Sequence, residues 1–192
     1  VVASTSGTVG ISEDPSFVAT EDSPTPLGLI SRFPYYRSKL FQEEEALAAS
    51  SAELEVVAIN PSLLLGPGDV HGSSTEDVWK FLSRSIPAVP TGGAAYVDAR
   101  DAAHGAVLAM EKGAPGRRYL LNASNVTVRE LFARLSRISG VAAPIMPLPK
   151  GRFLATGATK LLGRALGVIG AELPIDVATV EMDQLFWYVD TS

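Results

Sequence analysis

The stretch Pro34-Tyr35-Tyr36-Arg37-Ser38-Lys39-Leu40-Phe41-Gln42-Glu43-Glu44-Glu45-Ala46-Leu47 decides how this chain is read. Pro34 suits the first turn of a helix, and the residues from Gln42 to Ala49 are strong helix formers, so a helix is expected here. Tyr35 and Lys39 stand four residues apart and share one face of it. An ammonium beside a phenol stabilises phenolate, which brings the tyrosine down from about 10 toward neutral pH, where a general acid or base works best. The same spacing also describes an amphipathic helix with a surface lysine, and the motif alone does not separate the two.

The flanking segments supply context. Val1-Val2-Ala3-Ser4-Thr5-Ser6-Gly7-Thr8-Val9-Gly10 reads as the end of a buried strand running into a hydroxyl-rich, glycine-bearing turn. Glu55-Val56-Val57-Ala58-Ile59-Asn60-Pro61-Ser62-Leu63-Leu64-Leu65-Gly66-Pro67-Gly68-Asp69 reads as a second buried strand opening into a Pro/Gly loop. In open parallel sheets ligands sit at such strand ends. Strand, helix and strand make one βαβ unit.

Four features now stand in order: the hydroxyl-rich strand end, Tyr35-x-x-x-Lys39, Asn60-Pro61 with Gly66-Pro67-Gly68, and Tyr96-Val97-Asp98-Ala99-Arg100-Asp101-Ala102-Ala103. Together they resemble the landmarks of the extended short-chain dehydrogenase/reductases, most closely the branch of dihydroflavonol-reductase-like and related NAD-dependent epimerase/dehydratase proteins. The resemblance runs from Val1 to about Pro149. It implies an α/β fold, the C-terminal part of a Rossmann-like doubly wound sheet plus a small, mainly helical substrate domain. Residues 1–72 would be the C-terminal half of the nucleotide-binding domain. Residues 73–192 would be the substrate-binding region, interleaved with the last sheet elements at about 94–122.

Carried over by position, the resemblance puts the family's active-site hydroxyl on Thr5, five residues before Gly10, with Ser6 the close alternative. A threonine can serve because the role is a hydroxyl hydrogen bond to the substrate oxygen. Hydroxyls capping a turn explain Ser4 and Ser6 individually as well. Tyr35 would be the acid/base, and Lys39 would bind the ribose hydroxyls of NADP or NAD beside it. Pro61, Ser62 and Leu63 match the stretch that lies against the nicotinamide end, while Pro67 and Gly68 shape the loop. Tyr36 is the control residue, adjacent and equally aromatic but dispensable for chemistry.

One family landmark has no counterpart. The chain contains no Gly-x-x-Gly-x-x-Gly after an N-terminal strand and opens at what resembles the fifth strand of the fold. The first half of that architecture supplies the pyrophosphate turn and the residue that separates NAD from NADP. About a hundred residues of such a half are expected to be missing, judged from the size of a mononucleotide-binding unit. Gly163, Gly167 and Gly170 do not replace it, because they follow a helix-like run. The abrupt end at Ser192 fits the same expectation, a fragment that lacks activity by itself. Its uncovered sheet edge would call for a partner chain, and a homodimer is one such arrangement.

Composition narrows the classes. The chain is 46% apolar and 19% charged with a net charge of −5, as expected for a globular cytoplasmic protein. Its 16 Lys and Arg are spread rather than clustered, which argues against nucleic acid. With no Cys there are no disulfides or thiol nucleophiles, and two His, His71 and His104, give no recognisable metal spacing, so no metal is expected. No apolar run reaches the roughly 18 residues of a membrane helix.

Downstream, helices are expected over 73–85, 102–112, 127–135, 151–166 and 176–187, with a strand over 117–122. Thr127 and Glu130 form a capping box, with Leu131, Phe132 and Leu135 turned inward. Asp98 and Asp101 suit the start of the second of these helices, and the resemblance lets Arg100 pair with an acid across a domain joint. The resemblance also places substrate-side residues between Asp69 and Ser74, where His71 is explained equally by an exposed loop. Phe153, Leu161, Leu162, Met182, Phe186 and Trp187 would roof an apolar substrate or simply form a core.

The segment Asn60 to Pro67 is closer to the dihydroflavonol-reductase-like form than to the sugar-nucleotide form. The expected activity is therefore reduction of a small-molecule carbonyl to an alcohol. Epimerase or dehydratase action on a nucleotide sugar is the alternative and needs the same residues, and a nucleotide sensor without turnover is a third reading.

Overall fold

The computed structural model describes residues 1–148, 157 and 177–190. Strands β1 (Val2–Ala3), β2 (Ala58–Pro61) and β5 (Arg118–Leu121) form a parallel sheet in the order β1-β2-β5. Strands β3 (Leu63–Leu65), β4 (Gly93–Asp98), β6 (Ser124–Thr127) and β7 (Phe186–Trp187) form a second sheet. In it β3 and β7 run parallel to β4, and β6 runs antiparallel. The helices are α1 (Leu27–Ile30), α2 (Pro34–Ala48), α3 (Glu76–Leu82), α4 (Ala99–Lys112), α5 (Val128–Ser139) and α6 (Val177–Met182), with a 3-10 turn at Ser6–Thr8.

The apolar run after Glu55 is not one strand. β2 ends at Pro61, the chain turns at Ser62, and β3 joins the second sheet. Pro61 is tolerated inside a sheet because of its place in the register. Ala58 N and Ser62 N donate toward β5, so alternation turns the missing Pro61 N–H toward β1, whose ladder with β2 stops at the pair Ala3 and Ile59. β1 itself is not buried as expected. Val2 is half-buried and Ala3 exposed, and among the described residues β1 is paired along one edge only.

Helix α4 packs on the first sheet through Val57, Ile59 and Ala109, with Tyr119 and Leu121 alongside. It begins at Ala99, three residues earlier than expected. Asp98 caps it by accepting from Arg100 N at 2.8 Å. Arg100 does not reach across a domain joint: its guanidinium donates back to Asp98 at 2.9 and 2.7 Å, the nearest acid available. Helix α5 starts with the anticipated capping box, Thr127 and Glu130, and seats Phe132 against Phe81 of α3 with ring centroids 5.3 Å apart.

The helix expected over 176–187 is shorter. α6 stops at Met182, and Phe186 and Trp187 are strand residues paired with Gly93 and Ala94 of β4. This segment ties distant loops together: Ser12 and Phe186 exchange two backbone hydrogen bonds of 2.9 Å, and Ala19 N donates to Tyr188 O at 3.0 Å. Val189 is fully buried between these partners. Trp187 belongs to a core with Ile11, Ile30, Phe33, Leu40 and Leu185, so it is not a free roof. The helix expected over 151–166 lies outside the described residues but for Gly157, as do Phe153, Leu161, Leu162 and the glycines at 163, 167 and 170.

Candidate functional site

Helix α2 has two working faces. Tyr36, Leu40, Glu43 and Leu47 recur at helical spacing and turn inward, with Leu40 and Glu43 buried. Tyr35 and Lys39 lie on the neighbouring face, Tyr35 57% exposed and Lys39 half-buried. The Lys39 ammonium donates to Ala3 O and to Gln42 Oε1, each at 3.1 Å. That contact sets it at the C-terminal end of β1, two residues before Thr5.

Thr5 opens the 3-10 turn in extended conformation, φ −153° and ψ 147°, and its Oγ1 accepts from Gly7 N at 3.3 Å. Its hydroxyl proton meets no acceptor among the described residues and is free to donate outward. Ser6 is buried inside the turn, where its carbonyl accepts from Val9 N and Gly10 N at 3.1 and 2.8 Å. The geometry therefore favours Thr5 over Ser6 as the accessible hydroxyl.

The expected lowering of Tyr35 by Lys39 is not found. Partial burial raises Tyr35 above the ordinary phenol value, and the ammonium is held by Ala3 and Gln42 instead. Tyr36 is raised further, first by burial and then by the neighbouring Tyr35. Its ring stacks on Trp187 with centroids 4.6 Å apart and meets Phe33 and Tyr35 edge-on at 6.3 and 5.0 Å. Tyr36 is a packing residue.

Pro61 stands at the end of β2, beside the Thr5 turn, because Asn60 Nδ2 donates to Thr5 O at 3.1 Å. Ser62 is buried, its N–H donating to Leu121 O at 2.9 Å and its hydroxyl to Asn122 Oδ1 at 3.2 Å. Leu63 begins β3 and is 38% exposed. His71 is exposed on the loop before α3. That loop is organised by Asp69, which accepts from Ser74 N and Thr75 N, both at 2.9 Å.

Sequence reading missed the polar cluster beneath the turn. Glu43 Oε2 accepts from Ser4 Oγ, from Thr8 Oγ1 at 3.2 Å and from Asn60 Nδ2 at 2.7 Å, while Oε1 lies 3.2 Å from Arg118 NH1 in an ion pair. The run Glu43-Glu44-Glu45 looks like a solvated charged face. The usable signal was position, since residue 43 falls on the stripe of Tyr36, Leu40 and Leu47.

A cavity of about 170 Å3 lined by Glu21, Asp101, Asn122 and Asp190 opens elsewhere, at the β5 edge, and none of the candidate residues lines it. Among the described residues no group of three His, Asp or Glu could hold a metal ion. No helix among them is long and apolar enough to cross a membrane. The donor set at Thr5, Tyr35 and Lys39 fits the nicotinamide-ribose end of a dinucleotide, since Lys39 keeps a third N–H beyond its two bonds.

Known proteins resemble this chain in sequence and in fold. The family model described as the NAD dependent epimerase/dehydratase family matches residues 1–121. A protein named "Putative dihydroflavonol 4-reductase" from Synechocystis sp. is 32% identical over 163 residues, covering 82% of this chain and 47% of that protein. The chain thus spans about half the length of this curated relative. The crystal structure of gox2253 superposes with a TM-score of 0.75 at 25% identity, over 98% of this chain and 56% of that one. The dTDP-glucose 4,6-dehydratase DesIV from Streptomyces venezuelae, solved with NAD bound, shares the fold at a TM-score of 0.59 and 22% identity, over 76% of this chain and 47% of its own. The α/β architecture, the nicotinamide-nucleotide cofactor class and the match over most of the chain converge: this protein belongs to the NAD-dependent epimerase/dehydratase family.

Proposed function

We propose that the complete protein reduces a ketone or aldehyde to an alcohol, with residues 1–72 serving the cofactor side and 73–192 the substrate side. The observation that carries this reading is the helix face bearing an outward Tyr35 and Lys39 beside a turn whose Thr5 hydroxyl is free to donate. Bound NADPH or NADH supplies the hydride. Thr5 donates to the carbonyl oxygen and polarises it. Tyr35 delivers the proton as the carbonyl carbon is reduced, a phenol being protonated at neutral pH. Lys39 holds the ribose hydroxyls, and Pro61, Ser62 and Leu63 border the nicotinamide.

The named reductase relative supports the carbonyl reading. A second reading, epimerase or dehydratase action on a nucleotide sugar, is supported by the family description and by the likeness to the DesIV fold. It uses the same three residues. The cysteine-free, acidic composition supports a cytoplasmic setting. The reading also holds that these 192 residues alone do not turn over, since their sequence has no glycine turn for the pyrophosphate.

Turnover assays separate these readings. The complete protein is expected to consume NADPH or NADH stoichiometrically with a panel of aliphatic and aromatic ketones. Conversion of UDP-glucose or dTDP-glucose with no net change in nicotinamide absorbance, and none with ketones, would instead establish the second reading.

A further inference from the structure

Among the described residues Glu43 is the one acidic side chain in the buried core, fully buried on the helix that also carries Tyr35 and Lys39. A carboxyl group in such a place is costly unless its oxygens are matched. Here one oxygen gathers three donors, Ser4 Oγ, Thr8 Oγ1 and Asn60 Nδ2, and the other faces Arg118. Every donor to Oε2 is bound to the Thr5 turn. Ser4 precedes Thr5, the single Thr8 hydroxyl proton is shared between Glu43 Oε2 and Thr5 O, which lies 2.9 Å from Oγ1, and Asn60 Nδ2 also donates to Thr5 O at 3.1 Å. The two side-chain groups on the Thr5 carbonyl are therefore both in contact with the same carboxyl oxygen, while the Thr8 backbone N–H donates to that carbonyl at 3.2 Å as well.

We propose that Glu43 is a positioning residue, setting the Thr5 hydroxyl in register with Tyr35 by fixing the turn to helix α2. The role needs a strong acceptor at one point in space. An apolar residue at 43 would leave Ser4, Thr8 and Asn60 without it, and Gln would keep one acceptor oxygen while turning an N–H toward Arg118. Glu43 touches neither substrate nor cofactor. It acts through Thr5, so its effect must vanish when the Thr5 hydroxyl is gone.

This proposal rests on the reductase reading, and its test keeps the two apart. Glu43→Gln is compared with Thr8→Val, which keeps shape but removes one of the hydroxyls and leaves the Glu43–Arg118 pair intact. In the complete protein with NADPH and a reducible ketone, each variant is expected to lower kcat about tenfold with KM for NADPH unchanged within about twofold. In a Thr5→Ala background each should change kcat by less than about twofold. Equal losses with and without the Thr5 hydroxyl would overturn the proposal, as would an unaltered kcat. If Glu43→Gln does not fold, Thr8→Val decides on the same terms. Hydrogen exchange is read in parallel: the amides of Thr8, Val9 and Gly10 should exchange at least about tenfold faster in the variants, with α5 unchanged. Faster exchange in a protein that reduces no ketone would sink the reductase reading and leave the anchoring standing. Unchanged exchange would sink the anchoring itself.

Discussion

The ring of Tyr36 lies over Gly7 so closely that a Cβ on that glycine would stand 2.2 Å from Tyr36 Cε1 and 2.5 Å from Cδ1. The ring cannot easily retreat, since Trp187 stacks on it and Trp187 Nε1 donates to Met182 O at 3.1 Å. Gly7→Ala is expected to destabilise the fold by about 1–3 kcal/mol, the usual range for overpacking. Chemical denaturation reads the loss, and a Tyr36→Ala background should remove most of it because the obstructing ring is gone.

Thr127 accepts from Glu130 N at 3.2 Å, and Glu130 Oε2 accepts in return from Thr127 N at 2.8 Å. Thr127→Ala breaks this reciprocal cap and should lower stability by about 1 kcal/mol. Serine at 127 should restore most of it, which thermal denaturation would show.

These two relationships differ in how readable they were. Thr127 and Glu130 are three residues apart, and local hydrogen bonding alone selects the box. The Tyr35/Lys39 helix was legible for the same reason, as its proline start and helix-forming run are local. The break at Ser62 was not, because the apolar run continues through Leu63-Leu64-Leu65 and only sheet pairing moves those residues to a second sheet. Phe186 and Trp187 carry an apolar pattern that a helix also satisfies, until pairing with Gly93 and Ala94 decides. Glu43 was hidden because its partners Ser4, Asn60 and Arg118 are 39, 17 and 75 positions away in the chain.

Asp183, after α6, is pushed up to about 7, chiefly by burial and further by the charge of Asp77, with Lys80 opposing. Tyr96 faces the same two carboxyls. The folded protein thus keeps a proton that the unfolded chain releases near the ordinary carboxylate value of about 4. Stability should fall as pH rises from about 4 to about 7 and level off above that. Asp183→Asn should stabilise by roughly 2 kcal/mol at pH 8 and by progressively less toward pH 4, as unfolding at several pH values would reveal.

Under the proposed function Lys39 serves cofactor binding rather than setting the Tyr35 proton affinity. Lys39→Ala is expected to raise KM for NADPH by about tenfold or more while changing the pH dependence of kcat little. Steady-state kinetics over a pH series checks both, and a large shift of the alkaline limb, where a proton-donating Tyr35 would lose its proton, would return Lys39 to the role of tuning Tyr35.

The most direct test of the account is single-turnover NADPH oxidation with a reducible ketone, comparing the complete protein with its Tyr35→Phe and Tyr36→Phe variants. Tyr35→Phe should slow the step about 10²–10⁴-fold, the range for losing a positioned proton donor. Tyr36→Phe, which keeps the ring packed on Trp187, should remain within about threefold of the parent. Full turnover in Tyr35→Phe, or an equal loss in both variants, would contradict the assignment of Tyr35 as the proton donor.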